Sequence, residues 1–489
     1  MSTFGGLNTA YSGLMAARAG MDVVGQNIAN VNTDGYTRQR VTTSAANAAA
    51  RAGLVAWGAT PGSGVSVDGI ARLGSATLDA KVRATASMAG YTAVRANALG
   101  SVENSLNEPG KNGISTQLQE FWAAWQELSN GTDPAASAQL LLGEAGQLTS
   151  QISAGYRAVT DEWSAVRSNA DALVTEVNGA AAQVGELNGI IRQTLAAGGS
   201  ANEMIDKRDA LITTIAAITG AGVRAQADGT VDVLVGGNAL VSGTDVQKLA
   251  VSGPTTMPTG ADAGSAANAV TVVWTHRPEA VAVDGGELAG ALSLLGAADT
   301  AGTGGALAEA AADYNEFATY LVTTVNTIHQ TGATSDYPDK AAGLNFFSCD
   351  PDHSAASIAV IPKDSSGIAA GTPGAGAANG AIADKIAQLG AGRAVDGAGT
   401  AIGSPDAMWS AFVTKLGVAT GVELNQATAA NLSASSAVTL QLSNSSVDID
   451  EENVNLLTFQ HAYQGAARVM TAVDEMLDTL INRTGLVGR

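Results

Sequence analysis

Apolar side chains recur along this chain at alternating steps of three and four, the spacing that lines one side of a helix. The last stretch is the most regular. Leu456, Phe459, Tyr463, Ala466, Met470, Val473, Leu477 and Leu480 form one seam, led in by Asp448-Ile449-Asp450-Glu451-Glu452. There an aspartate caps free backbone N–H groups, and the glutamates sit at the positive end of the helix dipole. At the other end of the chain Phe4, Leu7, Tyr11, Leu14, Met21 and Ile28 keep the same seven-residue register, with Arg18 and Gly25 as weak members. The pattern predicts two terminal helices suited to each other or to copies of each other. It also fits helices that simply lie on a globular core.

Between the ends, the spacing predicts helices over Leu78 to Leu106, Ile114 to Leu128, Tyr156 to Ile191, Ala201 to Ile218, Leu307 to Ile328 and Asp406 to Leu442. The Tyr156 to Ile191 rod is a helix of at least 36 residues, about 54 Å at about 1.5 Å per residue, with Asp133 upstream as a candidate cap. Residues 42 to 75 read as a linker or extended arm. After Ile218 the period changes to two. Asp228-Gly229 between Val223-Arg224-Ala225 and Val231 to Val235 signals a hairpin, and Val246 to Val251, Ala269 to Trp274 and Ala280 to Val283 offer further strands. A second loop-rich stretch, 332–405, is expected to contain strands as well.

The layout is nested. The predicted fold is mainly α with β-rich insertions, elongated, with discontinuous domains. A terminal helical domain takes 1–66 and 443–489, a long-helix bundle takes 67–220, 286–331 and 406–442, and β-rich outer insertions take 221–285 and 332–405.

Composition narrows the function. A net charge of −20 argues against nucleic-acid partners, because neutralising phosphates takes an excess of Lys and Arg. Aromatics at 4% suit helices packed through small side chains better than a deep aromatic pocket. No run of about 18 apolar residues predicts a membrane span, and Met1 to Gly6 lacks the basic region of a secretory signal. The one cysteine, Cys349, excludes an internal disulfide framework. Cys349 and His353 are close in sequence, but Pro351 and the loop setting offer no framework for a nucleophile and its base. The four histidines lack metal-ligand spacing, and the glycine pairs lack a phosphate-cradle fingerprint. No catalytic, metal or cofactor residue is predicted.

Asn27-Ile28-Ala29-Asn30-Val31-Asn32-Thr33-Asp34-Gly35-Tyr36-Thr37-Arg38-Gln39 resembles the N-terminal signature of bacterial flagellar rod, hook and hook-associated proteins. Asn30, Asn32, Thr33, Gly35, Tyr36, Arg38 and Gln39 carry it. The stretch from Val447 through Leu480 resembles the end of the hook-filament junction family, as do Asp206-Lys207-Arg208-Asp209-Ala210-Leu211 and Gly286 to Leu292. Ser445-Ser446-Val447 and His461 depart from its usual residues.

The resemblance implies a structural, non-enzymatic protein exported through the flagellar type III channel without a cleaved signal. It implies a homo-oligomeric tubular layer in which terminal helices form the inner tube. The implied neighbours are the hook protein, a second hook-associated protein and an export chaperone at the C-terminal helix. The apolar terminal faces are expected to stay largely unpaired in the monomer and to order on assembly. A sister axial protein, such as the hook itself, and a secreted cysteine hydrolase on a similar scaffold are the alternatives.

Overall fold

The computed structural model describes residues 3–46, 62–130, 133–259, 264–299, 301–334, 342–375, 379–395 and 400–482, without the side chains of Thr3, Phe4, Ala266, Leu480 and Asn482. The helices are α1 (Thr3–Ala29), α2 (Ala76–Ser105), α3 (Ile114–Asn130), α4 (Pro134–Ala196), α5 (Asn202–Thr219), α6 (Gly286–Leu295), α7 (Ala306–His329), α8 (Ser354–Ser357), α9 (Ala381–Ala387), α10 (Pro405–Ser445) and α11 (Ile449–Asn482). Antiparallel β1 (Gln39–Ala45) and β2 (Val65–Arg72) form an arm beside α1.

The central rod is α4, with 63 residues and a length of about 95 Å. It starts 22 residues before the rod expected from Tyr156, because Asp133 accepts from the N–H groups of Ala135 and Ala136 and Pro134 takes the first turn. The spacing continues upstream through Ala138, Leu141, Ala145, Leu148 and Ile152, all buried. Alanines hold two of those positions, which makes the signal faint in sequence. One half of α4 lies on α3, α7 and α8, the other on α5, α6 and the sheets.

Two antiparallel sheets ride on the second half. One has the order β3 (Gly222–Ala225), β4 (Val231–Val235), β5 (Asn238–Ser242), β6 (Asp245–Val246); the other has β7 (Leu249–Ser252), β8 (Thr271–Trp274), β9 (Arg277–Ala280). The Asp228-Gly229 hairpin forms as expected, with Gly229 at φ +84°. Two asparagines of α4 clip the sheets to the rod. Asn188 donates to the carbonyls of Val231 and Gly243 at 2.8 and 2.7 Å, and Asn178 exchanges two 2.9 Å bonds with the backbone of Leu249. The expected Val246 to Val251 strand is two strands. The last strand runs through Pro278 rather than over Ala280 to Val283, which a proline permits because β9 is a sheet edge.

Residues 332–405 correct the sequence expectation. Among the described residues they hold only the two-residue pair β10 (Phe347–Ser348) and β11 (Ala359–Val360), a few isolated bridges and short helices. The reason is local: Asn326 of α7 accepts from the N–H groups of Phe346 and Phe347 at 2.8 and 3.0 Å and donates to the Phe347 carbonyl at 2.9 Å. A side chain thus supplies what a neighbouring strand would. Nor does this stretch only face solvent. Phe346 and Phe347 are fully buried against Phe121, Trp125 and His329. His329 joins two backbone segments, with Nε2 accepting from Ala369 N–H at 2.9 Å and Nδ1 lying 2.6 Å from the Leu344 carbonyl, and burial holds its pKa below the usual value.

Phe346→Ala should therefore lower the urea unfolding free energy by about 3–5 kcal/mol at unchanged m-value. A loss below about 1 kcal/mol would show that residues 342–375 contribute little to the bundle.

Candidate assembly interface

The terminal helices α1 and α11 run antiparallel along each other within one chain. Gly6 faces Val473, Gly13 faces Ala466, Gly20 faces Phe459, and Asn27 meets Glu452. Each step of seven on α1 is matched by a step of seven back along α11, so the register is that of a coiled coil. The expectation of terminal faces without a partner in the monomer is corrected in this respect: α11 uses the seam read from its sequence to pair with α1.

On α1 the contact line is offset from the expected one. Ala10, Ala17, Gly20, Val24 and Asn27 are buried, whereas Leu7, Leu14, Met21 and Ile28 are half-buried and Tyr11 is 53% exposed. Sterics decide this. A β-carbon at Gly20 would lie 2.5 Å from the Phe459 ring, so only a bare backbone admits that ring, and the larger residues turn to the flanks. On α11 Val473 is buried, Leu456, Phe459, Ala466, Met470 and Leu477 are half-buried, and Tyr463 is exposed. Phe4 and Leu480 have side chains outside the described ones.

The signature after α1 closes one end of this coil. Asn27 is 1% exposed and satisfied on every side: its amide donates to the Gln39 carbonyl at 2.9 Å and to Glu452 at 3.1 Å, and its oxygen accepts from Tyr36 O–H at 2.9 Å and Gln39 N–H at 3.0 Å. Arg38 reaches Glu452 at 2.6 Å and Glu451 at 2.8 Å. A further layer ties the coil to the bundle. Thr37 N–H donates to Asp206 of α5 at 3.0 Å, Arg72 of β2 binds Asp206 and, at 2.7 Å, Asp209, and Asn202 donates to Gln39 at 3.1 Å.

The signature residues separate into two groups. Tyr36, Arg38 and Gln39 enter the network. Asn30 and Thr33 shape the turn, with Thr33 Oγ1 donating to Asn30 at 3.1 Å, while Gly35 supplies φ +76° and Asn32 is exposed. Asn27, Arg72, Asp206, Glu451 and Glu452 are further site residues that sequence spacing does not single out. Asn27, Asp206, Glu451 and Glu452 lie in three separate motifs that only the fold joins, whereas Arg72 lies in the stretch read as a linker or arm and carries no motif signal.

Electrostatics follow from this burial. Tyr36 is pushed up to about 12, first by desolvation and then by the carboxylates of Asp206, Glu203 and Glu452. The Arg38 hydrogen bond holds Glu451 below the ordinary carboxylate range. Burial raises Asp209 against the pull of Arg72 and Arg208. Elsewhere, Cys349 is half-buried, and the His353 carbonyl accepts from Ser357 at the start of α8. No described helix is long and apolar enough to cross a membrane.

Comparison with known proteins accounts for the pairing of these motifs. The sequence model of the flagella basal body rod protein family matches residues 7–37, and that of the flagellar basal body rod FlgEFG protein C-terminal region matches 441–483. These two segments are the two sides of the coil, and they place the chain among the structural axial proteins of the bacterial flagellum. The flagellar hook-associated protein FlgK helical domain matches residues 99–347.

Flagellar hook-associated protein 1 of Bacillus subtilis is 30% identical over 539 residues, covering 100% of both chains. Those of Escherichia coli and Salmonella typhimurium are 32% and 33% identical over 260 residues, covering 52% of this chain and 45% of theirs. The chain belongs to the flagellar hook-associated protein 1 (FlgK) family. The flagellar hook junction protein FlgK from Burkholderia pseudomallei has a similar fold, with a TM-score of 0.61 at 13% identity over 74% of this chain and 100% of that one.

Two outcomes follow. Glu452→Gln should cost about 1–3 kcal/mol, because Arg38 and Asn27 lose a charged acceptor in a buried site, read as earlier unfolding of the terminal coil in urea. The raised Tyr36 pKa favours the protonated form in the fold. Its stabilising contribution is full below the ordinary value near 10 and is lost as pH rises towards about 12. Tyr36→Phe should therefore flatten the alkaline fall in stability between those limits. An unchanged alkaline slope would contradict the burial of this phenol.

Proposed function

We propose that this chain forms the layer between hook and filament, polymerising through the outward faces of its terminal helices with the α1–α11 coil kept intact inside each subunit. What carries the reading is the disposition of side chains on that coil. Small residues face inward, while Tyr11, Met15, Leu457, Val469 and Met476 stand more than two-fifths exposed. Burial of those faces between copies offsets the ordering of the helices.

Hook protein on one side and a second hook-associated protein on the other are the expected neighbours, with an export chaperone shielding α11 before the chain leaves through the flagellar type III channel. The role is structural and non-enzymatic. Family membership supports these assignments.

Tyr11→Asp places a charge on the outward face and Ala466→Asp places one against Gly13 inside the coil. Both should abolish filament attachment in motile cells, and only Ala466→Asp should also expose α1 and α11 to hydrogen exchange in the purified monomer. Normal attachment with Tyr11→Asp would sink the reading. In wild-type junctions both helices should exchange more slowly than in the monomer.

A further inference from the structure

Methionine is concentrated in the terminal coil. Helices α1 and α11, with 27 and 34 residues of the 489, carry Met15, Met21, Met470 and Met476, four of the nine methionines in the chain. Among the described residues three methionines stand more than two-fifths exposed: Met15 at 42%, Met476 at 53% and, on α2, Met88 at 58%. Met21, Met204, Met257, Met408 and Met470 are half-buried. Met15 follows Tyr11 by four residues and Met476 follows Val469 by seven, so each lies in line with an exposed apolar side chain of its own helix.

A thioether is apolar, flexible and polarisable, which suits a surface that has to fit its neighbours closely. It is also open to two-electron oxidants. With hydrogen peroxide the sulfur lone pair attacks one oxygen, the O–O bond breaks as the S–O bond forms, and the other oxygen leaves as water once it has taken the proton of the first. Sulfur is oxidised to the sulfoxide and the peroxide is reduced. The sulfoxide oxygen accepts hydrogen bonds from water and loses them in a dry contact. In the free subunit Met15 and Met476 already face solvent, so the change leaves the fold alone and is felt only where another surface covers them. The one thiol, Cys349, packs against the bundle core instead.

We propose that Met15 and Met476 are reversible oxidation sites on the assembly face, where a peroxide converts an exposed thioether into a sulfoxide and keeps the free subunit out of the layer. This rests on the reading that the outward faces of the coil polymerise, and the test separates the two.

The full chain in a Cys349→Ser background is treated with hydrogen peroxide as purified monomer, its sulfoxides are mapped by mass spectrometry, and it is offered to hook ends in vitro. Each protein is scored against its own untreated sample. The expected result is oxidation at Met15 and Met476, an unchanged urea midpoint, and incorporation cut about tenfold, as loss of most of the gain from burying one methionine side chain implies. Methionine sulfoxide reductases A and B should restore it. Met15→Leu combined with Met476→Leu should keep its incorporation through the treatment, whereas Met88→Leu should stay as sensitive as its parent. Failure of Met15 and Met476 to oxidise while Met88 does, or a double leucine variant as sensitive as the parent, would overturn the inference. Full oxidation at both sites with unchanged incorporation, while Tyr11→Asp still blocks addition, would overturn it and leave the terminal interface standing. If neither oxidation nor Tyr11→Asp affects addition, both are overturned.

Discussion

The fit of Phe459 into the gap left by Gly20, locked by the buried bond from Asn27 to Glu452, is the constraint on which the rest depends. It fixes how far α11 slides along α1 and how α1 is rotated about its own axis. Once that rotation is set, glycine and alanine face the partner helix, and Leu7, Tyr11 and Leu14 fall on the flanks or outside. The outward apolar surface is thus a consequence of inward steric fit.

A glycine inside a helix costs about 1 kcal/mol relative to alanine, and α1 contains Gly5, Gly6, Gly13, Gly20 and Gly25. Such a segment is a poor helix by itself, and a glycine seam contributes little apolar area in return. Polar bonds supply the definition that apolar contact does not. Asn27, Tyr36, Arg38 and Gln39 hold the coil's end shut, and Asp206 and Arg72 fasten it to α5 and the arm. The resulting subunit has a large-cored bundle joined to a coil whose larger apolar residues stand on its outward side.

Much of this was legible in the sequence. The seam of α11, the Asp228-Gly229 hairpin and the helical runs came directly from spacing, because bulky apolar residues mark them. The α1 contact line did not. A reader of hydrophobic positions follows Leu7, Tyr11 and Leu14, whereas the contact is made by residues with almost no side chain, and their meaning appears only beside Phe459. The first third of α4 is marked in sequence only by its cap, Asp133, for the same reason, since alanines carry part of its seam. The signature after α1 was visible as a string, but its partners lie hundreds of residues away, and local spacing says nothing about bonds such as Asn27 to Glu452. In the stretch 332–405 short apolar runs suggest strands, while the Asn326 side chain takes over the backbone partners of one such run.

The most direct test is a covalent lock. A β-carbon on Gly13 lies 4.0 Å from that of Ala466, within the span of a disulfide. The variant Gly13→Cys with Ala466→Cys, in a Cys349→Ser background, can be oxidised as purified monomer and then offered to hook ends in vitro. The account predicts that the bond forms readily and that the locked subunit adds to the hook as well as the reduced one. A locked subunit that cannot add, while its reduced form can, would contradict it by showing that the two helices must separate to polymerise.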